Sequence, residues 1–542
     1  MCRGGEHRKR GFNCVGDRGG ERVGERGASA PAMNGIRLSE LLVGLSGVAD
    51  VGMGQPVGGS AGTCHVAVGL ARVLELDDAT VSDVFHAALL QHVGCTAYSH
   101  EASLLFGDEI SIKRASLVTD FRRPQEVLLG YLPRIVREAP HGDRLSTASA
   151  ALLHSRTLVE GYSRANCEVA AGVARRLGLS AGVQNGLLDA FESWDGAGHP
   201  RGLAGDEICI VARVLVVAGC LALFHRLGGV DAATRAVRQR AGRLFDPMVV
   251  DAFARNAGEV LSELTPFASA DRLLEREPQP RWLAESELAN VVRTFGEAVD
   301  LKAPFLHGHC TEVARLAAAA AVNLRLDATE ARDVELAGYV HDIGRAAVPS
   351  AIWEQAGPLG VDAWAQVRSH AYNSEQILTR SRPLAHLGVL AGMHHERLDG
   401  SGYHRGARGA QLPMTARVLA AADVYQAMTS PRPHRAAFSP AQAATQLQAM
   451  TRAGRLDADA VRAVLAVADG RSARRTRGAG GLTERQVEVL RLVAAGLSNP
   501  AIGERLGISR RTAEHHVQDV YSRIGVASRA AAAMYTMEHG LL

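Results

Sequence analysis

The sequence predicts an all-α protein: two tandem helical units, the first a degenerate copy of the second, followed by a small helix-turn-helix bundle. Three observations carry this expectation. From Ile36 to about Asp469 apolar residues recur at three- and four-residue spacing, as in Val84, Ala87, Ala88 and Gly94, or Val313, Leu316, Ala317 and Ala320, and alternating β-branched runs are missing. One loop pattern occurs twice, WDGAGHPRGLAGDEI at 194–208 and LDGSGYHRG at 398–406. Each copy leads into an apolar helix, ARVLVVAGC at 212–220 and ARVLAAADV at 416–424. The tail from Leu482 then carries three or four short helical patterns separated by Gly and Ser.

The chain has 542 residues, enough for two to four domains with packed cores. Residues 1–35 hold seven Lys/Arg, four acids and nine Gly and almost nothing large and apolar, so they are expected to be disordered. They contain no apolar signal segment, and Met33, just before the first helical pattern, is an alternative start to Met1. The first unit is expected over 36–275 and the second over 283–469. A basic tether follows at 470–481, with Arg471, Arg474, Arg475 and Arg477 and no acid. The net charge is +3, so any nucleic-acid partner must be met by a local element. The eight cysteines form no C-x-x-C pair, which argues against a disulfide scaffold or a cysteine zinc site. No run of the ~18 apolar residues needed for a membrane span is expected, and the chain is read as cytoplasmic.

The second unit collects metal-type side chains: His309, the pair His341-Asp342, His370, the pair His394-His395, and Asp423. Imidazole with carboxylate suits a first-row transition metal, a carboxylate can bridge two ions, and helices can bring such residues together inside a bundle. Two bridged metals can lower the pKa of a shared water and hold a phosphate in line between them.

These residues stand in HGHCTEVARLA (307–317), HDIGRAAVP (341–349), HAYNSEQIL (370–378), HHERLDGSGYHRG (394–406), ADVYQAMTS (422–430) and RPHR (432–435). Together the segments resemble the HD-GYP phosphodiesterases of the HD metal-dependent phosphohydrolase superfamily, over roughly 285–470. The resemblance implies an all-helical domain with two divalent transition metals, iron or manganese, and hydrolysis of a cyclic dinucleotide such as cyclic di-GMP. It makes His309, His341, Asp342, His370, His394, His395 and Asp423 the ligands and Asp342 the bridging carboxylate. Asp342 and Arg345 become the catalytic pair, and Arg345, Gly402, Tyr403, Arg405 and Arg435 the groups that meet substrate. Three departures are visible. The family's lysine after HD-I-G is Arg345, its Gly-Tyr-Pro is Gly402-Tyr403-His404, and the acid some members place four residues before the first His is Phe305, which favours two metals over three.

The first copy keeps the frame and loses the ligands. Gln91-His92 stands for His-Asp, Ala190-Phe191-Glu192 for His394-His395-Glu396, and Gly219 for the late Asp. Phe and Gly cannot bind metal, so no catalysis is expected there. His65, His86, His92 and His100 are read as structural, and the kept WDGAGHPRG loop leaves two readings, a structural pseudo-domain or a ligand-sensing pocket.

In the tail, Val487, Leu490 and Ala494 line a first helix ended by Gly496. Ser498 caps a second with Ile502 and Leu506, closed by Gly507, and Ser509 caps a third with Ala513, Val517, Val520 and Ile524 inward. Capped short and long helices joined by a Gly turn are the geometry of a helix-turn-helix. The motifs LTERQVEVL, GLSNPAI and RTAEHHV resemble the LuxR-type DNA-binding domain over its whole length. That likeness implies phosphate contacts from Arg510, Arg511 and Thr512, base contacts from Glu514, His515 and Gln518, and dimerisation through a last helix at about Ser528 to His539. The expected partners are therefore double-stranded DNA, a nucleotide and a second copy of the chain, with no membrane. Two functions remain open at this level: a regulator that hydrolyses its nucleotide, or one that only senses a nucleotide or metal.

Overall fold

The structure, a computed structural model, describes residues 35–138, 155–262, 264, 270–470 and 482–542. The expected disordered start (1–34) and the tether from 471 to 481 lie outside the described residues. Helices dominate as the periodicity predicts. Among the described residues the only strands are Ile36–Arg37 and Trp282–Leu283, paired antiparallel, which set the start of the first unit beside the start of the second.

The duplication is legible element by element. Gly58 and Gly308 are both left-handed N-caps (φ 105° and 77°), of the helices Gly59–Val73 and His309–Asn323. Asp77 and Asp327 cap the next pair, Asp78–Leu90 and Ala328–Val340, through bonds from the Thr80 and Glu330 N–H groups. These helices end on Gln91-His92 and His341-Asp342 respectively. Beyond them a Cβ on Gly94 would strike the Asn166 carbonyl, and one on Gly344 the His370 carbonyl, so each turn packs onto the next long helix in the same way. Asn166 therefore occupies the place of His370. Between these points the first copy carries inserted helices, among them Ser99–Phe106, Glu109–Val118 and Leu132–Glu138.

The units expected at 36–275 and 283–469 share part of their core. Leu38, Phe85, Val214 and Phe253 from the first share one apolar cluster with Val292, Phe295, Ile377 and Leu387 from the second. A smaller cluster (Val313, Leu316, Leu419, Leu447, Val464) lies under the helices Met414–Thr429, Pro440–Arg452 and Ala458–Asp469. One helix stands out by composition. The helix Ile210–Arg238 is long and apolar enough to cross a membrane by length and composition. Arg213 and His225 interrupt its apolar text, so no unbroken run stands out in the sequence. Val211, Val214, Leu215, Ala218 and Leu221 put one side of it in the core, and Gly228 and Gly229 leave helical geometry further on.

The tail folds as expected into Glu484–Ala494, Asn499–Leu506, Arg510–Ile524 and Arg529–Glu538, capped by Thr483, Ser498, Ser509 and Ser528. Val487, Leu490, Ile502, Ala513, Val517 and Val520 form its own core.

Candidate metal centre and nucleic-acid interface

All seven expected ligands meet at one place. His309 opens its helix, His341 and Asp342 end theirs, His370 sits on the inner side of Val361–Leu378, His394 and His395 follow Ala385–Ala391, and Asp423 lies within Met414–Thr429. Their donor atoms fall into two groups, His370, His394 and His395, and His309, His341, Asp342 and Asp423, each with atoms within 4.8 Å of one another. Asp342 stands between the groups. Its Oδ2 is 3.0 Å from the Nε2 of both His309 and His341, and its Oδ1 is 3.2 and 3.4 Å from those of His370 and His394.

The rings are fixed from behind. Nδ1 of His341 donates to the Gly338 carbonyl (2.8 Å), that of His394 to Ala391 (2.6 Å), that of His370 to Val367, and that of His309 to the Gln426 side-chain oxygen. Each bond leaves Nε2 free to face the centre, the arrangement that orients imidazole ligands. Burial alone would raise the carboxyl of Asp342, but Arg345, His341 and His309 hold it well below the usual carboxylate range. Asp423 is held low against burial by its bonds to His309 and His341. Burial pushes His394 down to about 4 and, with His394 beside it, His395 well below the ordinary value. The set thus holds anionic carboxylates with neutral imidazoles at two positions. His341 is the exception: burial alone would lower it, but Asp342, 3.0 Å from its Nε2, and Asp423 raise it to about 10. The buried Asp342 Oδ1 makes no aligned hydrogen bond, as expected of an atom reserved for a cation. The donors present fit a metal.

Around this centre the expected substrate groups divide. Arg345 Nη2 holds Asp342 Oδ2 at 2.6 Å, its guanidinium lies over Trp353, and its buried Nε and Nη1 remain unpaired. Gly402 passes so close to His395 and Glu396 that a Cβ would collide with their backbone, and Tyr403 then lies against the His395 ring, 4.7 Å between centroids. Arg405 is paired with Glu375, which also accepts from His404. Arg435 is turned away: its guanidinium donates to the Ala427, Met428 and Ala436 carbonyls. The neighbouring Arg432, which the sequence reading did not single out, is the one facing the centre. It lies over Phe305 and is lowered to about 10 by burial and by Arg345. Gln426 was also missed, because nothing in ADVYQAMTS distinguishes a ring-orienting amide from a solvated one.

In the first copy Gln91 faces the bare Gly219. His65 bonds the Ser262 carbonyl, His86 the Ser82 carbonyl, and His100 pairs with Glu354. His92 is half-buried, and desolvation lowers it to about 4. Among the described residues metal-type groups gather only in the second copy.

In the tail, Arg510, Arg511, Thr512, His515 and Gln518 are exposed along one side of Arg510–Ile524, and half-buried Glu514 is paired with Arg510. The last helix packs inside this chain. Ala530, Ala533, Met534 and Met537 are buried in the large shared core of this same chain. The reader also grips the turn before the first ligand. His307 Nδ1 donates to the Ala494 carbonyl (2.6 Å), the Gly308 N–H points to Met537 Sδ (3.2 Å), and the Ala527 N–H donates to Glu168 (3.1 Å).

Fold and site together define an all-helical tandem protein with a His/Asp metal-type centre and a C-terminal helix-turn-helix bundle. Residues 293–460 match the model of the HD domain, and residues 481–536 match that of the bacterial regulatory proteins of the luxR family. The chain is 29% identical over 416 residues to a 3'3'-cGAMP-specific phosphodiesterase of Vibrio cholerae, covering 75% of this chain and 89% of that protein. It is 37% identical over 140 residues to a cyclic di-GMP phosphodiesterase of Pseudomonas aeruginosa, covering 26% of this chain and 34% of that one. The crystal structure of a cyclic GMP-AMP-specific phosphodiesterase of V. cholerae superposes with a TM-score of 0.56 at 25% identity, over 80% of this chain and 98% of that chain.

Proposed function

We propose that the protein is a cytoplasmic DNA-binding regulator that hydrolyses a phosphodiester bond of a cyclic dinucleotide, cyclic di-GMP or 3'3'-cGAMP, at a centre for two iron or manganese ions. The observation that carries this reading is Asp342, whose two oxygens face two separate sets of imidazoles. Metal bound there would polarise the phosphate and lower the pKa of a water molecule. The chain's own groups do the rest. The Nδ1 bonds hold the rings in place, Arg345 and Arg432 offer positive charge to the phosphate oxygens, and the Tyr403 ring closes one side of the site. Purified protein loaded with Mn or Fe is expected to open both messengers to linear dinucleotides, read by chromatography. Tight binding without product would instead support the sensing function, which the 2.6 Å hold of Arg345 on Asp342 favours.

DNA reading is assigned to the Arg510–Ile524 helix. Arg511→Ala with His515→Ala is expected to weaken operator binding by about 1–3 kcal/mol for the lost His515 base contact and to reduce the salt slope by about 1 for the lost Arg511 phosphate contact, while wild-type affinity falls steeply with salt. Unchanged anisotropy titrations for the variant would refute the helix assignment.

Coupling is assigned to the shared turn. The reader holds Gly308, the residue before His309, so occupancy of the centre and release of the reader act on one segment. Docking and homodimerisation compete for the same apolar side of Arg529–Glu538. Met534→Asp with Met537→Asp is expected to abolish the change in operator affinity on adding nucleotide. Persistence of that change would place the coupling elsewhere.

A further inference from the structure

The helix Val361–Leu378 turns His370 toward the centre and carries Trp364, Arg368 and Tyr372 on another side, four residues apart and hence in one stripe. Trp364 is 46% exposed and Tyr372 48%, an unusual outer face for a surface helix, where polar groups normally stand. The stripe is continuous with the centre. The Arg368 guanidinium lies over the Tyr403 ring, 5.8 Å from its centroid, and Tyr372 meets the His404 ring edge-on at 5.5 Å. Tyr403 in turn is 4.7 Å from the ring of His395 and 6.2 Å from that of His370. From Trp364 to Tyr372 the helix rises about 12 Å.

We propose that Trp364, Arg368 and Tyr372 form a stacking platform for the nucleobase that lies outside the metal centre. The proposal rests on the cyclic-dinucleotide reading above and deepens it. A cyclic dinucleotide presents one phosphate to the centre, and its remaining base and phosphate must lie along a wall next to it. Two aromatic rings and a guanidinium match that remainder: π-faces for the base, and a cation for phosphate or for the base plane. Stacking recognises ring area and not a donor–acceptor pattern. The platform therefore selects purine over pyrimidine and accepts guanine and adenine alike.

The test uses the full chain loaded with Mn and, as probe, the bis-phosphorothioate of cyclic di-GMP, with cyclic di-UMP in parallel. Trp364→Ala and Tyr372→Ala are each expected to weaken the purine probe about tenfold, within the range of base–aromatic stacking. The preference over cyclic di-UMP should shrink by the same factor, and Tyr372→Phe should restore it. Quenching of tryptophan fluorescence by the probe should be lost in Trp364→Phe. Affinities within twofold of wild type in both alanine variants, with unchanged thermal midpoints, would overturn the platform and leave the metal-centre reading standing. A wild-type protein that neither binds nor cleaves any cyclic dinucleotide would overturn both. Should an alanine variant fail to fold, Arg368→Gln at its exposed position is read in the same assay, where an unchanged Kd also counts against the proposal.

Discussion

Replacing Asp342 by Asn is expected to reduce cyclic-dinucleotide turnover by about 10³-fold or more, equivalent to about 4 kcal/mol of transition-state stabilisation, and to strip metal from the protein. The carboxylate is buried and charged, with Oδ2 turned to His309 and His341 and Oδ1 to His370 and His394. Asparagine keeps the shape but supplies one oxygen and no charge, so one of the two groups loses its shared anion. The Arg345 cation, now 2.6 Å from Oδ2, is left buried without its counter-charge, and this further disfavours a second cation nearby. Initial rates and metal content measured on the same preparation check this. A variant that keeps a tenth of wild-type turnover, or its full metal complement, would remove Asp342 from the shared position. Gln426→Ala is expected to be milder, about 10–100-fold in metal affinity, because it frees the His309 ring without removing a donor atom.

The convergence of these His and Asp side chains was legible because such residues are rare and two of the groups, His341-Asp342 and His394-His395, are adjacent pairs just past helix ends, where the backbone turn fixes both side chains at once. The copy relationship was legible because glycines such as Gly94 and Gly344 are tied to a close approach of helix to turn in both units. What the sequence does not show is which of two similar groups points inward. Arg432 and Arg435 lie three residues apart in RPHR. Only the tight turn joining the Arg432 and Arg435 backbones, each N–H on the other's carbonyl, decides that one faces the centre and the other is spent on backbone carbonyls. Packing between units is equally hidden. The helix Glu285–Asp300 reads as the start of a new domain, yet Phe295 and Val292 complete the core of the previous one. The docking of the reader could not be foreseen either, since small apolar residues such as Ala530 and Ala533 suit a dimer interface and an internal one equally well.

Glu109→Ala is expected to lower unfolding stability by about 3–5 kcal/mol, the usual cost of stranding one partner of a buried ion pair. Glu109 belongs to the helices inserted in the first copy, and it meets Lys302 at 2.8 Å with both side chains fully out of solvent. Its carboxylate also accepts the Ser350 N–H (3.1 and 3.0 Å) and hydroxyl (3.1 Å). Lys302 lies just before the turn that leads to His309, and Ser350 opens the helix after HDIGRAAVP, so the insertion pins both segments that carry ligands into the centre. Removing the carboxylate leaves an ammonium in the interior and an unsatisfied helix N-terminus, and metal affinity should fall along with stability. The pH dependence has a definite sign. Burial alone would raise the Glu109 carboxyl, but Lys302 and Lys113 outweigh it and hold the group below its ordinary value. The pair therefore contributes fully above the usual glutamate range, about pH 4.3, and its contribution is lost as pH falls through the depressed folded value. Urea unfolding at neutral pH measures the first claim and a stability–pH series the second. The double change Glu109→Leu with Lys302→Met separates charge from packing: it removes this ion pair as a unit and, with Lys113 left in place, should recover part of the loss. A single Glu109→Ala that costs less than about 1 kcal/mol would mean that the insertion is held by its apolar contacts and not by this ion pair.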